Sequence, residues 1–263
     1  LDSNLNSSSE VEKKISDILS FKKIYPGNKF KTYKGDIRDK VVLENIFFEA
    51  IQEGSAIKSV IHLSGLKSVR ESKINPLNYW DVNISGTITL LKVMDKYNCR
   101  KLIFSSSASI YGDSKKIPFS EDSSPHPLNP YANTKLSAEI FLEDLCISND
   151  KKWDIISLRY FNPIGAHKTG LIGEEPLLEN DNIFPLILKS CVYQNKKIYI
   201  YGRDWPTPDG TCIRDYIHVC DLADAHVKAL DLFSNYEVSQ NHCSAKSDSR
   251  CFVFNLGNGN GVS

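Results

Sequence analysis

The sequence lacks both an excess of charge of one sign and a long apolar run. Its 32 Lys and Arg residues balance 32 Asp and Glu residues, so the formal net charge at pH 7 is zero. A zero balance argues against a protein held on nucleic acid by phosphate electrostatics. Since no stretch of about 18 apolar residues occurs, the sequence predicts no membrane span.

The sequence also lacks the cysteine patterns of metal sites and disulfide frameworks. Its seven cysteines are an odd number, they contain no Cys-x-x-Cys pair, and none stands at a metal-like spacing to the six histidines. The sequence therefore predicts no metal site. Several cysteines lie inside apolar patterns, where cysteine behaves as a small hydrophobic residue, and such reduced thiols lead us to expect a cytoplasmic protein.

Apolar runs and amphipathic helical patterns alternate along the first 162 residues. The pattern predicts helices near Val11–Leu19, Val41–Ile51, Leu77–Lys96 and Tyr131–Leu145. It predicts strands at Phe30–Tyr33, Ser59–Leu63, Leu102–Ser105 and Ile155–Tyr160. Such alternation predicts an α/β fold, a doubly wound parallel sheet of Rossmann-like type with helices on both faces.

The regular alternation ends after Asn162, where glycine and proline become frequent. We expect a smaller lobe over residues 163–263, with some of its segments returning to the main sheet. Later patterns predict a helix at Ile183–Gln194, a strand at Ile198–Tyr201, a helix at Asp221–Phe233 and a strand at Phe252–Leu256.

Ser107, Tyr131 and Lys135 stand in an order that suits proton transfer. Tyr131 opens a predicted helix, and Lys135 lies one turn further along the same face. A phenol that takes a proton near neutral pH needs its pKa, normally about 10, lowered by several units, and a nearby ammonium favours the phenolate. A Tyr-x-x-x-Lys pair by itself is most often a solvated helix face, so the site depends on its context of strand, loop and helix.

Seven short stretches together resemble the extended short-chain dehydrogenase/reductase family, and within it the nucleotide-sugar 4-epimerases. They are Gly35-Asp36-Ile37, His62-Leu-Ser-Gly-Leu-Lys67, Asn83-Ile-Ser-Gly86-Thr87, Ser105-Ser-Ser-Ala-Ser-Ile-Tyr111-Gly112, Pro130-Tyr131, Arg159-Tyr-Phe-Asn162-Pro-Ile-Gly-Ala-His167 and Asp209-Gly-Thr-Cys-Ile-Arg214-Asp-Tyr-Ile-His218. The resemblance implies an isomerase that interconverts UDP-galactose and UDP-glucose by transient oxidation at C4 of the hexose.

The resemblance implies NAD as the cofactor and an NAD-binding domain over residues 1–162. Asp2 would hold the ribose hydroxyls of adenosine, and its carboxylate would repel the extra phosphate of NADP. Asp36 would take the adenine amino group, and Ile37 would cover the ring. The other cofactor contacts expected from the family are Leu63, Ser64, Gly65, Lys67, Asn83, Ser105, Tyr131, Lys135, Tyr160 and Phe161.

The resemblance also implies a UDP-hexose substrate and a substrate-binding lobe over residues 163–263. Tyr131 would take the proton of the sugar 4-hydroxyl, Lys135 would hold the cofactor ribose, and Ser107 would hydrogen-bond the reacting oxygen. Arg214, a fixed cation with bidentate donors, suits the diphosphate. The other substrate contacts expected from the family are Asn162, Asn182, Ile183, Tyr199, Ile200 and Tyr201.

No Gly-x-x-Gly-x-x-Gly motif occurs in the sequence, although the family opens with a strand, a glycine-rich turn and a helix. Leu1-Asp2 has the pattern of the last step of a strand, and we interpret the sequence as a fragment truncated at both ends. Without the glycine-rich turn the pyrophosphate lacks its backbone donors, which predicts weak NAD binding by this chain alone.

The same resemblance leaves two alternatives and an expected partner. The alternatives are another nucleotide-sugar epimerase or dehydratase of the family, and a non-catalytic NAD-responsive binding protein. A nucleotide-sugar dehydratase typically carries an Asp-Glu pair after the strand-end serine, whereas Ala108-Ser109 follow here, so no carboxylate is placed to protonate a leaving hydroxyl. A non-catalytic NAD-responsive binding protein would be free to lose Tyr131 or Lys135, yet both are present. Family members commonly dimerise through the helices after Asn75 and Tyr131, which makes a homodimer a further expectation.

Overall fold

The computed structural model describes residues 1–8, 10–21, 30–114, 117–148, 152–174, 182–193, 197–200, 202–235 and 250–263. The chain divides into two compact units. The first unit comprises Leu1, Gly35–Phe161 and Asp224–Leu256, and the second comprises Asp2–Lys34, Asn162–Ala223 and Gly257–Ser263. The assignment of cofactor binding to residues 1–162 and of substrate binding to residues 163–263 stays a prediction.

The predicted helices are all present within the described residues. Helices α1 to α8 cover, in chain order, Glu10–Phe21, Lys40–Gln52, Val69–Ile74, Pro76–Trp80, Gly86–Lys96, Pro130–Ile147, Ile183–Val192 and Val219–Asn235. Strands β1 to β7 cover Val60–His62, Lys101–Ser107, Asp154–Tyr160, Asn162–Ile164, Arg214–His218, Arg250–Leu256 and Gly261–Val262. A π-helical segment at Asp81–Ser85 and a 3-10 turn at Ala108–Tyr111 join them. Gln194, the last residue of one predicted helix, lies outside the described residues.

The first unit is built on a four-stranded sheet in the order β1-β2-β3-β6, and every neighbouring pair is parallel. Successive side chains of a strand point to opposite faces, and both faces of this sheet are covered. Leu102, Phe104 and Ile155 belong to a core with residues of α2, α5 and α6. Ile103 and Ile156 pack with residues of α8 in a second core. The prediction of a doubly wound, Rossmann-like parallel sheet is confirmed.

Helix α6 carries Tyr131 and Lys135, and sequence signals at the start of this helix determine where it begins. The side chain of Asn129 caps the helix by accepting a hydrogen bond of 2.9 Å from the backbone N–H of Ala132. Pro130 follows at the first helical position, where its missing N–H costs no hydrogen bond. Tyr131 therefore stands in the first turn, directly beside the carboxyl ends of the strands.

The predicted long helix near Leu77–Lys96 is confirmed as a continuous helical path from α4 through the π segment into α5. Trp80, Ser85 and Gly86 all have right-handed helical torsion angles at the junctions. π segments insert one residue into a helix and often occur at functional sites, because they turn a side chain out of the regular helical register. The residue at the centre of this segment is Asn83.

The second unit contains a small sheet in which β4 pairs with β5 in parallel and β5 pairs with β7 antiparallel. The carboxylate of Asp215 on β5 accepts hydrogen bonds from the backbone N–H groups of Asn258 and Gly259, at 2.7 and 2.8 Å. These bonds hold the residues before β7 against β5. Helix α1 belongs to the same unit.

Two predicted strands are wrong. Residues 30–34 form a single parallel bridge, between Asp2 and Lys34, rather than a strand. Residues 198–200 are not in a strand either, and Tyr199 is 71% exposed. An apolar run becomes a strand only where a neighbouring strand pairs with it over several residues, and no such ladder is present at either place in the described residues. Tyr201 lies outside the described residues.

The helices of the described residues do not reach the combination of length and apolar character needed to cross a membrane. The six cysteines in this part of the chain are reduced thiols, and Cys99 and Cys146 are buried.

Candidate active site

The carboxyl end of β2 and the first turn of α6 bring the predicted catalytic residues together. The Tyr131 phenol is a hydrogen-bond partner of the Ser107 side chain. The ammonium nitrogen of Lys135 lies 6.0 Å from the centroid of the Tyr131 ring. Three side chains from two elements therefore meet at one place, as their sequence order predicts.

Lys135 is 5% exposed, and its ammonium is held by β2. It donates a hydrogen bond of 2.7 Å to the carbonyl oxygen of Ser105 and lies 4.9 Å above the centroid of the Phe104 ring. Burial removes water from the charged form and lowers the pKa of Lys135 to about 8, against an opposing effect of the Glu139 carboxylate. Lys135 therefore changes its charge within about one pH unit of neutrality.

The pKa of Tyr131 moves in the direction opposite to the one expected from the sequence. Burial raises the pKa of this phenol, and the hydrogen bond from Ser107 lowers it by less. The Lys135 ammonium donates to the Ser105 carbonyl rather than to the phenol, so it does not offset the effect of burial. In the protein without ligands the phenol therefore keeps its proton.

Ser107 ends β2 and starts the 3-10 turn. Its hydroxyl oxygen accepts hydrogen bonds from the backbone N–H of Ser109 at 3.2 Å and from the Ser109 hydroxyl at 2.9 Å. Both bonds leave the Ser107 proton available to a neighbouring oxygen. Ser109 stands where a dehydratase typically carries a carboxylate, so the group beside Ser107 is a neutral hydroxyl.

Asn83 fastens the loop after β1 to helix α6. Its side-chain oxygen accepts from the Leu66 N–H at 2.8 Å, and its nitrogen donates to the Leu66 carbonyl at 3.1 Å and to the Thr134 hydroxyl at 3.0 Å. A Cβ atom at Gly65 would lie 3.0 Å from the Asn83 oxygen and 3.7 Å from the Lys135 nitrogen. Glycine at this position keeps a space open beside the ammonium.

His62 extends this hydrogen-bonded chain into the core. Thr87 donates to the Asn83 carbonyl at 2.6 Å, so its oxygen accepts from Nε2 of His62 at 2.8 Å. Nδ1 of His62 is buried and has no hydrogen-bond partner in the described residues. Burial, together with repulsion from Lys135, lowers the pKa of His62 to about 3. The imidazole is therefore neutral, with its proton on Nε2.

The predicted adenine contacts lie at the start of α2. The two oxygens of Asp36 accept hydrogen bonds from the Arg38 guanidinium at 2.9 and 2.6 Å, and this pairing lowers the pKa of Asp36. An adenine amino group would share this carboxylate with Arg38. Ile37 is 8% exposed, whereas Leu63 is 61% exposed. Ser64 is half-buried and Lys67 is exposed, and both lie in the loop after β1.

Tyr160 and Phe161 follow the end of β3. The Tyr160 hydroxyl pairs with Nε2 of His226 on α8, and burial raises the pKa of Tyr160. The backbone N–H of Phe161 donates to the Leu256 carbonyl at 3.0 Å. Both residues therefore lie on the same edge of the sheet as Ser107.

The remaining predicted site residues belong to the second unit. Asp2 accepts from the Asn4 N–H at 2.7 Å, and Asn162 donates to the Asp215 carbonyl at 2.7 Å. Asn182 precedes α7 and donates to the Glu174 carboxylate at 2.6 Å, and Ile183 is the first residue of that helix. Arg214 starts β5 and donates to its neighbouring Ile213 carbonyl, with an otherwise exposed side chain. The roles of these residues, and of Tyr199 and Ile200, stay predictions.

The sequence did not lead us to expect a buried ion pair beside the predicted catalytic residues. Arg159 donates to the carboxylate of Glu139 through both Nε and Nη2, at 3.1 and 2.7 Å, and Ser106 donates to the same carboxylate. Glu139 and Arg159 are 8% and 6% exposed. The available signal was the repeat of Tyr131, Lys135 and Glu139 at steps of four residues, which places all three on one face of α6.

Comparisons with known proteins identify the family of this chain. The family model described as "NAD dependent epimerase/dehydratase family" matches residues 4–241. UDP-glucose 4-epimerase 2 of Arabidopsis thaliana is 44% identical over 90% of this chain, and UDP-glucose 4-epimerase of Dictyostelium discoideum is 42% identical over all of it. The chain spans 63% of the length of the first relative and 70% of the second.

A solved structure supports the same relationship. The chain is similar to UDP-glucose 4-epimerase from Bifidobacterium longum, solved in complex with NAD+ and UDP, with a TM-score of 0.84 and 41% identity. That likeness covers 100% of this chain and 71% of the other. This chain belongs to the NAD-dependent epimerase/dehydratase family.

Proposed function

We propose that the protein is a UDP-glucose 4-epimerase that interconverts UDP-galactose and UDP-glucose with NAD as its cofactor. The observation that carries the proposal is the meeting of Ser107, Tyr131 and Lys135 at the carboxyl end of β2. The names of the similar proteins from Arabidopsis, Dictyostelium and Bifidobacterium support it. Ser109 in place of a carboxylate favours epimerisation over elimination of water.

The residues beside Lys135 fit the nicotinamide end of NAD. A Cβ atom at Gly65 would intrude between Asn83 and the Lys135 nitrogen, so the glycine leaves room for a ligand there. In this proposal Lys135 and Ser105 hold the nicotinamide ribose, while Asp36 and Ile37 hold the adenine. NAD, when bound, supplies the acceptor and later the donor of the hydride at C4 of the sugar.

Tyr131 takes the proton of the 4-hydroxyl, and Ser107 hydrogen-bonds the same oxygen. Since burial raises the pKa of Tyr131, the phenolate needs support when the substrate is present. The hydrogen bond from Ser107 favours the phenolate, and the Lys135 ammonium 6.0 Å from the ring adds an attractive charge. After the resulting 4-keto sugar has turned over about its link to the nucleotide, hydride would return to the opposite face of C4 and Tyr131 would give its proton back to the 4-oxygen, which completes the inversion.

A proton NMR time course of UDP-galactose with NAD and this protein tests the proposal. We expect conversion to UDP-glucose without net formation of NADH. Tyr131→Phe removes the proton acceptor while keeping the ring, so it should reduce the rate by at least about 100-fold, the usual size of a general-base contribution. Thermal unfolding would check that this variant keeps the wild-type fold.

The products decide between the alternatives. A 4-keto-6-deoxy sugar would overturn epimerisation in favour of a dehydratase. NAD binding with no change in any UDP-hexose would favour a binding protein. Full activity of the Tyr131→Phe variant would show that another group takes the proton.

A further inference from the structure

Three ionisable groups lie on one face of helix α6, and two of them are buried. Tyr131, Lys135 and Glu139 follow one another at intervals of four residues, so each lies one helical turn from the next. Lys135 and Glu139 are 5% and 8% exposed. The proposed reaction uses the first two groups and leaves Glu139 without a role.

The Glu139 carboxylate is held rigidly from two neighbouring strands. Nη2 of Arg159 on β3 donates to it at 2.7 Å, and Nε donates at 3.1 Å. The Ser106 hydroxyl on β2 donates to the same carboxylate. Fork-shaped pairing of this kind fixes both the position and the orientation of the carboxylate.

Arg159 is itself held at its other end. Its Nη1 donates to the Tyr111 hydroxyl at 2.8 Å and to the Glu121 carbonyl at 3.0 Å. The Tyr111 hydroxyl donates in turn to Asn255 on β6 at 2.6 Å. The ion pair is therefore part of a network that ties α6 to three strands of the sheet and to the loop before the helix.

In the described part of the chain, the groups that interact with the Lys135 ammonium are neutral apart from this pair. The groups that face it are the Tyr131 phenol and Glu139 on α6, neutral His62 on β1 and the Ser105 carbonyl on β2. The phenol of Tyr160 on β3 faces Tyr131 in turn. A buried ammonium without a nearby anion loses its proton, because burial disfavours the charged form. Among these groups, the anion one turn away is Glu139.

We propose that Glu139 is a positioning residue for Lys135: held by Arg159 and Ser106, its carboxylate keeps the buried ammonium charged and fixes the rotation of α6 that brings Lys135 to Ser105. Only the effect of Glu139 on turnover rests on the proposed function. The charge state of Lys135 is a property of the folded protein itself.

The test is a pH titration of Lys135 by NMR in protein labelled with 13C-lysine, with the resonance assigned from a Lys135→Arg variant. The midpoint for wild-type protein should lie near pH 8. Glu139→Gln removes the anion and leaves the Arg159 cation, so the midpoint should fall by on the order of one pH unit or more. Near-ultraviolet circular dichroism would show whether the fold is kept.

Two further variants separate an electrostatic role from a structural one. Glu143→Gln removes an exposed carboxylate one turn further along the same helix, where water screens the charge, and should leave the midpoint unchanged. Adding Arg159→Met to Glu139→Gln removes the unpaired cation, so the midpoint should rise part of the way back. If Glu139→Gln does not fold, the double variant alone is informative, with a midpoint expected below that of wild-type protein.

An unchanged Lys135 midpoint in Glu139→Gln, or in the double variant where the single one fails to fold, would overturn the proposal. A shift of equal size in Glu143→Gln would overturn it as well. Because the titration requires no turnover, these outcomes do not depend on the epimerase proposal. With an active enzyme, the alkaline limb of the rate-against-pH profile should move to lower pH in Glu139→Gln by the same amount as the midpoint.

Discussion

At the scale of single residues, burial changes the acid–base chemistry of the site more than neighbouring charges do. Burial is the largest cause of the changed pKa at Lys135, Tyr131 and His62 alike. A buried group loses the water that stabilises its charged form, so amines and imidazoles become weaker bases and phenols become weaker acids. At neutral pH the Tyr131 phenol is therefore protonated, and the pKa of Lys135, about 8, lies close to neutral pH.

His62 leads to a prediction about acid stability. Its pKa is about 3 in the folded protein, against about 6.5 for an ordinary imidazole. Between these values the unfolded chain binds one proton more than the folded protein, so stability is lost as the pH falls from about 6.5 to about 3. His62→Gln keeps a nitrogen donor for Thr87 and does not titrate.

We expect His62→Gln to lose less stability on acidification than wild-type protein, by about 3 kcal/mol between pH 6.5 and pH 4. Urea unfolding at several pH values measures this difference. His126→Gln is the control, because the His126 side chain is 70% exposed and is hydrated in both states. An equal pH dependence for wild-type protein and His62→Gln would show that His62 is protonated without unfolding.

At the scale of secondary-structure elements, close packing of α5 depends on Gly86. A Cβ atom at this position would lie 2.5 Å from Cγ2 of Ile37, which is itself buried. Gly86 has helical torsion angles, so alanine would favour the helix by about 1 kcal/mol in the absence of a clash. The loop before α2 packs so closely against α5 that it opposes the gain in helix propensity that alanine would bring at position 86.

Gly86→Ala should destabilise the protein by about 1–2 kcal/mol, because overpacking a buried contact outweighs the gain in helix propensity. Thermal or urea unfolding measures the change. In a background of Ile37→Ala the clash is removed, so Gly86→Ala should there be neutral or stabilising. If Gly86→Ala costs the same stability in both backgrounds, the contact with Ile37 is not the cause.

Most helices were predictable at this scale, because an amphipathic helix is encoded by its own sequence. Asn129 and Pro130 mark the start of α6 locally, and its buried face repeats at helical spacing. The strands expected at Phe30–Tyr33 and Ile198–Tyr201 were wrong because a strand exists only through its partner. The π segment around Asn83 was not predictable either, and Asn83 within it bonds to Leu66 and Thr134, which are distant along the chain.

At the scale of the whole molecule, the predicted chemistry and the predicted nucleotide anchor belong to different compact units. Ser107, Tyr131 and Lys135 lie in the first unit, and Arg214 lies in the second. A variant of a residue in the first group should therefore change the rate of the reaction, whereas a variant of Arg214 should change the affinity for the nucleotide. Self-association through the helices after Asn75 and Tyr131 stays a prediction that sedimentation velocity can settle.

Arg214→Ala should weaken UDP binding at least about tenfold, the usual cost of removing a charge-assisted hydrogen bond, because the guanidinium is the predicted partner of the diphosphate. Titration calorimetry with UDP measures the affinity. Arg203→Ala, which removes an exposed guanidinium from the same unit, is the control. Unchanged UDP affinity in Arg214→Ala would remove this residue from the proposed site.

The sequence by itself determined the parallel α/β architecture and the order of Ser107, Tyr131 and Lys135. Both depend on short-range patterns, namely alternating apolar runs and the four-residue spacing of a helix face. Only the tertiary structure decided the pairing of Glu139 with Arg159, the contact of His62 with Thr87 and the raised pKa of Tyr131. These depend on burial and on partners distant along the chain, which local patterns do not encode.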